Sequence, residues 1–497
     1  PRPLAPAAGD FRTGPFEPGI PREAYLVAAG AVRSCISRGH TYQANLTFPL
    51  HADFEGDPYA LFLRLARAQG SRHGFYLDTG AHAICCATPE LFLERRGGTL
   101  RARPMKGTAP RGRWPEEDTL RAEELRASKK ERAENIMITD MVRNDIGRIA
   151  ETGSVTAEPL WAAERYPTLW QMTSTVEGRS RAPLPEVLAA TFPCASITGA
   201  PKHRTMQIIR ELEPGPRGVY TGAAGWYDPG GDFSFGVTIR TAVVDRDRGR
   251  VRFDVGSGVT WDSEPEREWE ECLLKSRILE GERPGFRLLE TLRWEPGEGF
   301  VRLEGHLARM AASAGYFDRP FDRQRVLAAV QAALPGASAP RRVRIMLDAA
   351  GRVEVESAPL DEVPGRPVEA GFARTPVDPA DVFLFHKTTL RDTYQTALRS
   401  RPDCEEVLLW NRRGELTEAS RANVVAEIGG RHVTPPREAG LLAGVLRAEL
   451  LERGEIEEAP ITVEEAGRAD RLWLISSLRG RREVRLVEEG DLPSCAF

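Results

Sequence analysis

The sequence predicts an α+β protein of two successive domains behind a flexible leader. Three observations lead there. At 497 residues the chain exceeds one core, since single cores stop growing beyond about 250–300 residues. Strand-like segments come in series, then helices, then strands again, the order of a layered α+β domain rather than a doubly wound one. Finally, Gly281, Pro284 and Gly285 punctuate the chain between a strong helical pattern and a fresh strand. They place a boundary near residue 283, giving a leader over 1–20 and domains over 21–282 and 283–497.

Taken in order, the first 20 residues hold five prolines and three glycines, breakers that argue against a packed element. AYLVAAGAVRSCI has helical periodicity, TYQANLTFPL reads as a strand, and DPYALFLRLARAQ returns to a helix. HGFYLD, HAICCA and ELFLERRGGTLRARP read as consecutive strands with turn residues between them. In ASKKERAENIMITDMVRNDIGR, Ser128 stands three residues before Glu131, a capping-box signature. DSEPEREWEECLLKSRILEG shares that grammar, with Ser263 three before Glu266 and Pro265 suited to a first turn. FRLLETLRW then opens the second domain as a strand.

Composition narrows the function. With 41% hydrophobic and 28% charged residues and a mean hydropathy of -0.37, the chain is ordinarily globular. A net charge of -4 and a pI near 6.2 give no electrostatic reason to expect nucleic acid or an anionic membrane. A small-molecule enzyme fits better. No run approaches the roughly 20 apolar residues of a membrane span, and no signal-peptide pattern opens the chain. Cys35, Cys85, Cys86, Cys194, Cys272, Cys404 and Cys495 are odd in number, scattered and free of C-x-x-C spacing. That argues against disulfides and zinc, and for the reducing cytoplasm.

Two helices carry chemistry. Glu131 and Glu134 share one face at i, i+3, while Glu268, Glu271 and Lys275 line one side of the later helix, opposite Trp269, Cys272, Leu273 and Leu279. Stacked like charges weaken a bare helix slightly. They make either a solvated acidic face or a seat for a hard divalent cation, because Mg²⁺ takes carboxylate oxygens and keeps waters and a ligand's anionic group. Spacing alone leaves both open.

YQANL at 42–46, PMKGT at 104–108, ERAENIMITDMVRNDIGR at 131–148, ASITGAPK at 195–202, GAAGWYD at 222–228, TIRTA at 238–242 and GSGVTWDSEPEREWEE at 256–271 follow one another. Together they resemble the chorismate-utilising enzymes, a family that includes anthranilate, aminodeoxychorismate and isochorismate synthases. The resemblance runs from Tyr25 to Ile278. It implies a fold of large β-sheets flanked by helices, chorismate as substrate, and Mg²⁺ held by Glu131, Glu134, Glu268 and Glu271, with Glu134 and Glu271 as direct ligands. Gln43, Thr198, Arg240, Gly256, Gly258 and Lys275 become the implied substrate contacts.

Lys106 is the discriminating position. Anthranilate-forming members resemble PIAGT here and aminodeoxychorismate synthases PIKGT; this chain reads PMKGT. The implied role of Lys106 is to add to C2 of chorismate and expel the C4 hydroxyl, after which ammonia enters C4 and releases the lysine. An amine does this only when neutral, so its pKa must be lowered by burial or a nearby cation. Gln43 replaces the water-activating lysine of isochorismate-forming members, and an amide is no general base. Gln171 and Trp226 depart from the His and Tyr usual in anthranilate synthases. No glutaminase signature occurs, so ammonia is expected from a separate glutaminase subunit. Against that family, the sequence is expected to start after the usual N-terminal extension and its tryptophan-binding motif.

Further on stand FRLLETLRW, EGHLARM ending at Met310, FHKTTLRDTY at 385–394, GELTEASRANVV at 414–425, GLLAGVLR at 440–447 and LWLISSLRG at 472–480. These resemble fold-type IV pyridoxal-phosphate enzymes over 286–482, which implies two α/β subdomains. Lys387 matches the Schiff-base position, and this domain has no other lysine. Glu418 matches the partner of the pyridine nitrogen; Arg309, Ser477 and the amides of Val445 and Leu446 match the phosphate cradle. Leu446 replaces a common Thr, losing a hydroxyl but not the amide. A homodimer through this domain is one arrangement the resemblance allows. Adjacency suggests the overall conversion: amination of chorismate to 4-amino-4-deoxychorismate, then lyase chemistry to 4-aminobenzoate and pyruvate. Two other readings are an anthranilate synthase joined to an aminotransferase-like domain, and a catalytically dead scaffold that recruits a glutaminase.

Overall fold

The computed structural model describes residues 7–71, 73–279, 285–334, 338–361 and 365–487. The start of the expected leader, the boundary at 283 and Cys495 lie outside the described residues. The chain divides into two compact units, Pro1–Arg111 with Leu120–Arg283, and Gly112–Thr119 with Pro284–Phe497.

The backbone of the first unit is the strand Gln43–Gly56, paired antiparallel with Arg250–Val259 from Asp53↔Arg250 to Ala44↔Val259. Side chains of a strand alternate between faces. Ala44, Leu46, Phe48, Leu50 and Ala52 therefore join Val251, Phe253, Val255 and Val259 in one apolar core. Gln43, Asn45 and Thr47 are buried as well, on the opposite face. This strand is covered on both sides, and only one side is oil.

Helices Arg22–Ser37 and Pro265–Ser276 contribute Tyr25 and Trp269 to that core. Phe48 stacks on Trp269 with centroids 4.7 Å apart and meets Tyr25 edge-on at 5.3 Å. The described part of the expected leader is also tied down: Phe11–Thr13 and Glu17–Pro18 pair with Gln43–Gly56. Phe11 stacks on Phe54 under the guanidinium of Arg64, and Pro18 is tolerated on an edge strand. Those contacts overrule the breaker composition.

A second sheet of the unit runs Ala223–Tyr227, Phe233–Val237, Leu91–Arg96, Thr99–Ala102, Val176–Arg179 and Thr156–Ala157. Helix Lys129–Gly147 lays Ile138, Val142 and Ile146 into its core. Ser128 caps this helix as expected, accepting from the Glu131 amide. The later helix differs. Its cap residue is Glu264, without a side-chain cap bond, because the Ser263 hydroxyl instead accepts from the Thr260 amide in the preceding turn.

In the second unit, a four-stranded sheet joins Gly299–Phe300, Leu288–Glu295, Arg341–Leu347 and Val353–Pro359, with helix Leu303–Tyr316 packed on it. The larger sheet is mixed, running Leu416–Ala419, Glu406–Trp410, Val368–Phe372, Gly480–Leu486, Arg471–Ser476, Asn423–Ile428, Arg431–Thr434 and Glu457–Glu458. Residues 112–119 count with this unit although sequence reading placed them in the first domain. The reason is packing: Trp114 sits 4.9 Å from Phe385 in the unit's main core, and Tyr316 donates to the Gly112 carbonyl at 2.7 Å.

Phe48→Ala removes the ring held between Tyr25 and Trp269 at 1% exposure. The first unit should lose about 3–5 kcal/mol, read from its own denaturant transition. A loss below about 1 kcal/mol would show that this aromatic stack does not organise the core.

Candidate active sites

The polar face of the Gln43–Gly56 strand looks into a cavity of about 180 Å³. Lys106, Glu131, Glu134, Glu268, Glu271, Arg240, Gly256, Gly258 and Lys275, all singled out in the sequence, line it together. Gln43 is buried beside it, its Oε1 without a hydrogen-bond partner. Thr198 is placed differently. Its hydroxyl donates to the Cys194 carbonyl at 2.9 Å, and it lines a neighbouring cavity with Phe192 and Met206.

Lys106 comes in on the strand Met105–Pro110; Gly258 makes room for it, and Gly107 for the neighbouring Glu131. Gly107 has φ +97, and a Cβ there would lie 3.1 Å from Glu131 Oε2. At Gly258 a Cβ would come within 2.4 Å of Gln43 Nε2 and 3.0 Å of Lys106 Nζ. The Lys106 ammonium donates to Asn45 Oδ1 at 3.1 Å, and Asn45 is itself anchored by donating to the Ser196 carbonyl at 2.5 Å. Burial, then the charge of Lys275, pushes the Lys106 pKa down, against Glu134, Glu90 and Glu271. Both causes demanded of a nucleophilic lysine are therefore present.

The carboxylates divide. Burial raises Glu131, and raises Glu134 to about 7. Burial also works to raise Glu271, but Lys275, 2.5 Å away, and Lys106 bring it below the ordinary range. Among the described residues no three acidic, His or Cys side chains form a closed metal cage. The arrangement still fits Mg²⁺, which binds through one or two carboxylates and completes its shell with waters and ligand oxygens. Glu131 and Glu134 feel the charges of the opposing Glu268 or Glu271, repulsion that a cation would relieve. Arg240 and Thr221, both lining the cavity, have φ of +51 and +62, strained values for non-glycine residues. Arg240 donates to the Lys275 carbonyl, so it is fixed before any ligand arrives.

Sequence reading missed Glu90. It is fully buried, lines the cavity, and accepts from Ser196 Oγ at 2.5 Å. Burial raises its carboxyl to about 7, against the pull of Ser196 and Lys106. At neutral pH it can both hold and release a proton.

The second unit has a cavity of about 420 Å³ lined by Lys387, Glu418, Arg309, Val445, Leu446 and Ser477. Burial first, then Arg309 and Arg391, lowers Lys387 to about 8. Glu418 accepts from Tyr394 at 2.8 Å and from the Leu442 amide at 3.2 Å; burial nonetheless raises it to about 7. A cationic ring nitrogen at its side would restore its charge. Helix Val445–Glu452 has no side chain capping its start, leaving its first amides open to an anion.

Two further residues, also missed, hold this cradle. Glu290 on the opening strand takes Arg309 by two bonds of 2.8 and 2.7 Å and His306 Nδ1 at 2.7 Å. His306 Nε2 in turn meets Ser477 Oγ at 2.8 Å. Burial opposes ionisation of Glu290, but Arg309 and His306 override it and bring its pKa to about 2. Arg309 directly, and Ser477 through His306, are thus oriented by one carboxylate.

Residues 1–281 match the family model of chorismate binding enzymes, and residues 287–487 that of class IV amino-transferases, which implies pyridoxal phosphate. An aminodeoxychorismate synthase of Streptomyces griseus is 41% identical over 306 residues, covering 59% of this chain and 42% of that protein. Anthranilate synthase component 1 of Thermus thermophilus is 40% identical over 268 residues, covering 53% and 57%. The chain spans about half the length of these curated relatives. The solved menaquinone-specific isochorismate synthase of Escherichia coli matches with a TM-score of 0.50 at 22% identity, over 56% of this chain and 64% of that one, which shows the shared fold. Among the described residues no helix is long and apolar enough to cross a membrane.

Glu290→Gln should weaken pyridoxal phosphate binding roughly tenfold or more, since hydrogen bonds to charged groups carry about 1.5–3 kcal/mol. Equilibrium dialysis read by the cofactor's visible absorbance checks this. Unchanged affinity would mean that Arg309 and Ser477 do not depend on the carboxylate.

Proposed function

The chain belongs to the chorismate binding enzymes, and from that membership we propose that it makes 4-aminobenzoate from chorismate in two steps, one in each unit. The first is amination to 4-amino-4-deoxychorismate, and the second is loss of pyruvate. Similarity does not choose between amination at C4 and at C2, because the Streptomyces and Thermus relatives are 41% and 40% identical. Lys106 carries the choice: a buried lysine of lowered basicity in the wall of the family's pocket.

In this reading the neutral Nζ of Lys106 adds to C2, both ring double bonds shift by one position, the C4–O bond breaks, and Nζ gives up a proton. The departing oxygen needs a proton, and Glu90, its carboxyl raised to about 7 by burial, would be its source. Ammonia then adds at C4 and gives up a proton, both double bonds shift back, and the C2–N bond to Lys106 breaks as Nζ takes up a proton. Asn45 keeps Nζ on the ring side throughout. Mg²⁺, when held by Glu131, Glu134, Glu268 and Glu271, would neutralise the ring carboxylate. Gln43, Arg240 and Lys275, with the bare backbone at Gly256 and Gly258, would complete the substrate contacts, and Thr198 would act from behind through its backbone. A separate glutaminase subunit would supply ammonia, in keeping with a relative named as component 1. The setting would be the cytoplasm.

In the second unit pyridoxal phosphate, when bound, supplies an electron sink. Arg309, Ser477 and the amides of Val445 and Leu446 would hold its phosphate, and Glu418 the charge on its ring nitrogen. Lys387, its basicity lowered to about 8 by burial and by Arg309 and Arg391, would be the base that removes the proton at C4. The electron pair left behind expels the enolpyruvyl oxygen from C3 and the ring becomes aromatic. A homodimer through this unit belongs to the same reading.

Lys106→Ala supplied with chorismate, ammonium and Mg²⁺ should lose 4-amino-4-deoxychorismate formation by at least about 10³-fold, the scale of losing a covalent catalyst. Residual product should shift towards anthranilate, resolved by chromatography. Unchanged output of the 4-amino product would remove Lys106 from the chemistry.

A further inference from the structure

Eight arginines and Lys387 line the cavity of the second unit, against a single acidic residue, Glu418. Some of that charge is already matched: Arg309 pairs with Glu290, Arg447 with Glu458, and Arg344 with Glu356. Arg342, Arg391, Arg421, Arg479 and Arg482 have no carboxylate partner among the described residues. A cofactor phosphate held by Arg309, Ser477 and helix amides does not account for these five.

Arg342, Arg391, Arg479 and Arg482 are half-buried at this cavity, and Arg421 is exposed at its edge. Arg421, in the turn before Asn423–Ile428, and Arg479 and Arg482, at the turn and on the second strand of the hairpin 471–486, line the cavity from two segments of the larger sheet region. Burial first, then Arg479 and Arg421, pushes the Arg482 guanidinium below its usual range, against the pull of Glu406 and Glu405. Like charges gathered in a partly buried place cost stability unless something anionic visits them. Arg342 reaches the same cavity from the strand Arg341–Leu347 of the smaller sheet, and its Nε is buried with no hydrogen-bond partner. Arg391 is steered by the Ser420 carbonyl and lies 4.6 Å over the Tyr394 ring. The cavity therefore has cationic groups on two sheets, beyond those the cofactor phosphate would use.

We propose that Arg421, Arg479 and Arg482 on one sheet and Arg342 on the other form a subsite that selects substrates with two carboxylates. It rests on the lyase reading, and it deepens that reading by naming how the substrate is held. A ring carboxylate and an enolpyruvyl carboxylate are a dianion of the right kind, because planar carboxylates suit bidentate guanidinium contacts. A monocarboxylic amino acid would leave one cluster of guanidiniums unmatched.

The test is calorimetric binding of isophthalate, an inert dicarboxylate, and of benzoate to the full chain loaded with pyridoxal phosphate. Isophthalate should bind at least tenfold more tightly than benzoate. Arg482→Gln and Arg479→Gln should each erase most of that preference while keeping the cofactor. In lyase assays they should raise KM for 4-amino-4-deoxychorismate more than they lower kcat. Equal binding of the two acids, or a preference untouched in both variants, overturns the subsite. If isophthalate is preferred but the wild-type chain makes no 4-aminobenzoate, the lyase reading falls and the subsite stands. If the lyase works and both variants keep wild-type KM, the subsite falls and the lyase reading stands.

Discussion

Ten consecutive residue pairs join Gln43–Gly56 to Arg250–Val259, and the chemistry of the first unit depends on their register. Because side chains alternate, a slip of one residue would bring Gln43, Asn45 and Thr47 into the apolar core and push Leu46 and Phe48 into the cavity. The cost of burying three unpaired polar side chains fixes the register as firmly as the apolar gain does. In that register Asn45 meets Lys106, and Gly258 stands opposite Asn45, where any side chain would crowd the amine.

On the proposed reading each unit faces the same problem, a lysine that must be neutral at the moment of reaction. Burial is the leading cause in both, but the surroundings differ. Around Lys106, Glu134, Glu90 and Glu271 pull against burial and Lys275. Burial prevails there, and the carboxylates only moderate the loss of basicity. Lys387 is flanked by Arg309 and Arg391, an environment that keeps an amine neutral and invites anions. One pocket suits a metal-bound acid and the other a phosphorylated cofactor. That contrast is electrostatic and does not rest on any single contact.

Much of this was legible in the sequence because local spacing writes it. Helical periodicity put Glu131 beside Glu134, and Glu268 beside Glu271 and Lys275, with Trp269 and Cys272 on the buried side; the folded helices keep that division. Lys387 stood out as a lone lysine. Glu90, Asn45, Glu290 and His306 were not legible. Their partners lie far along the chain: Glu90 meets Ser196, Asn45 meets Lys106, and His306 meets Ser477. A glutamate inside PELFLER reads as an ordinary strand residue until register turns it inward. Ser263 failed as a cap for a related reason, since its hydroxyl had a nearer donor at Thr260. The membership of 112–119 in the second unit was invisible because Trp114 finds its neighbour Phe385 only far along the chain.

The central claim is that two chemically separate sites in one chain act in order on one ring. It is tested most directly by following products from chorismate, ammonium and Mg²⁺ with the unaltered chain, before and after pyridoxal phosphate is added. The expected result is 4-amino-4-deoxychorismate alone at first, then its conversion to equal amounts of 4-aminobenzoate and pyruvate once the cofactor is present. Anthranilate and pyruvate in both conditions, with no response to the cofactor, would contradict the account.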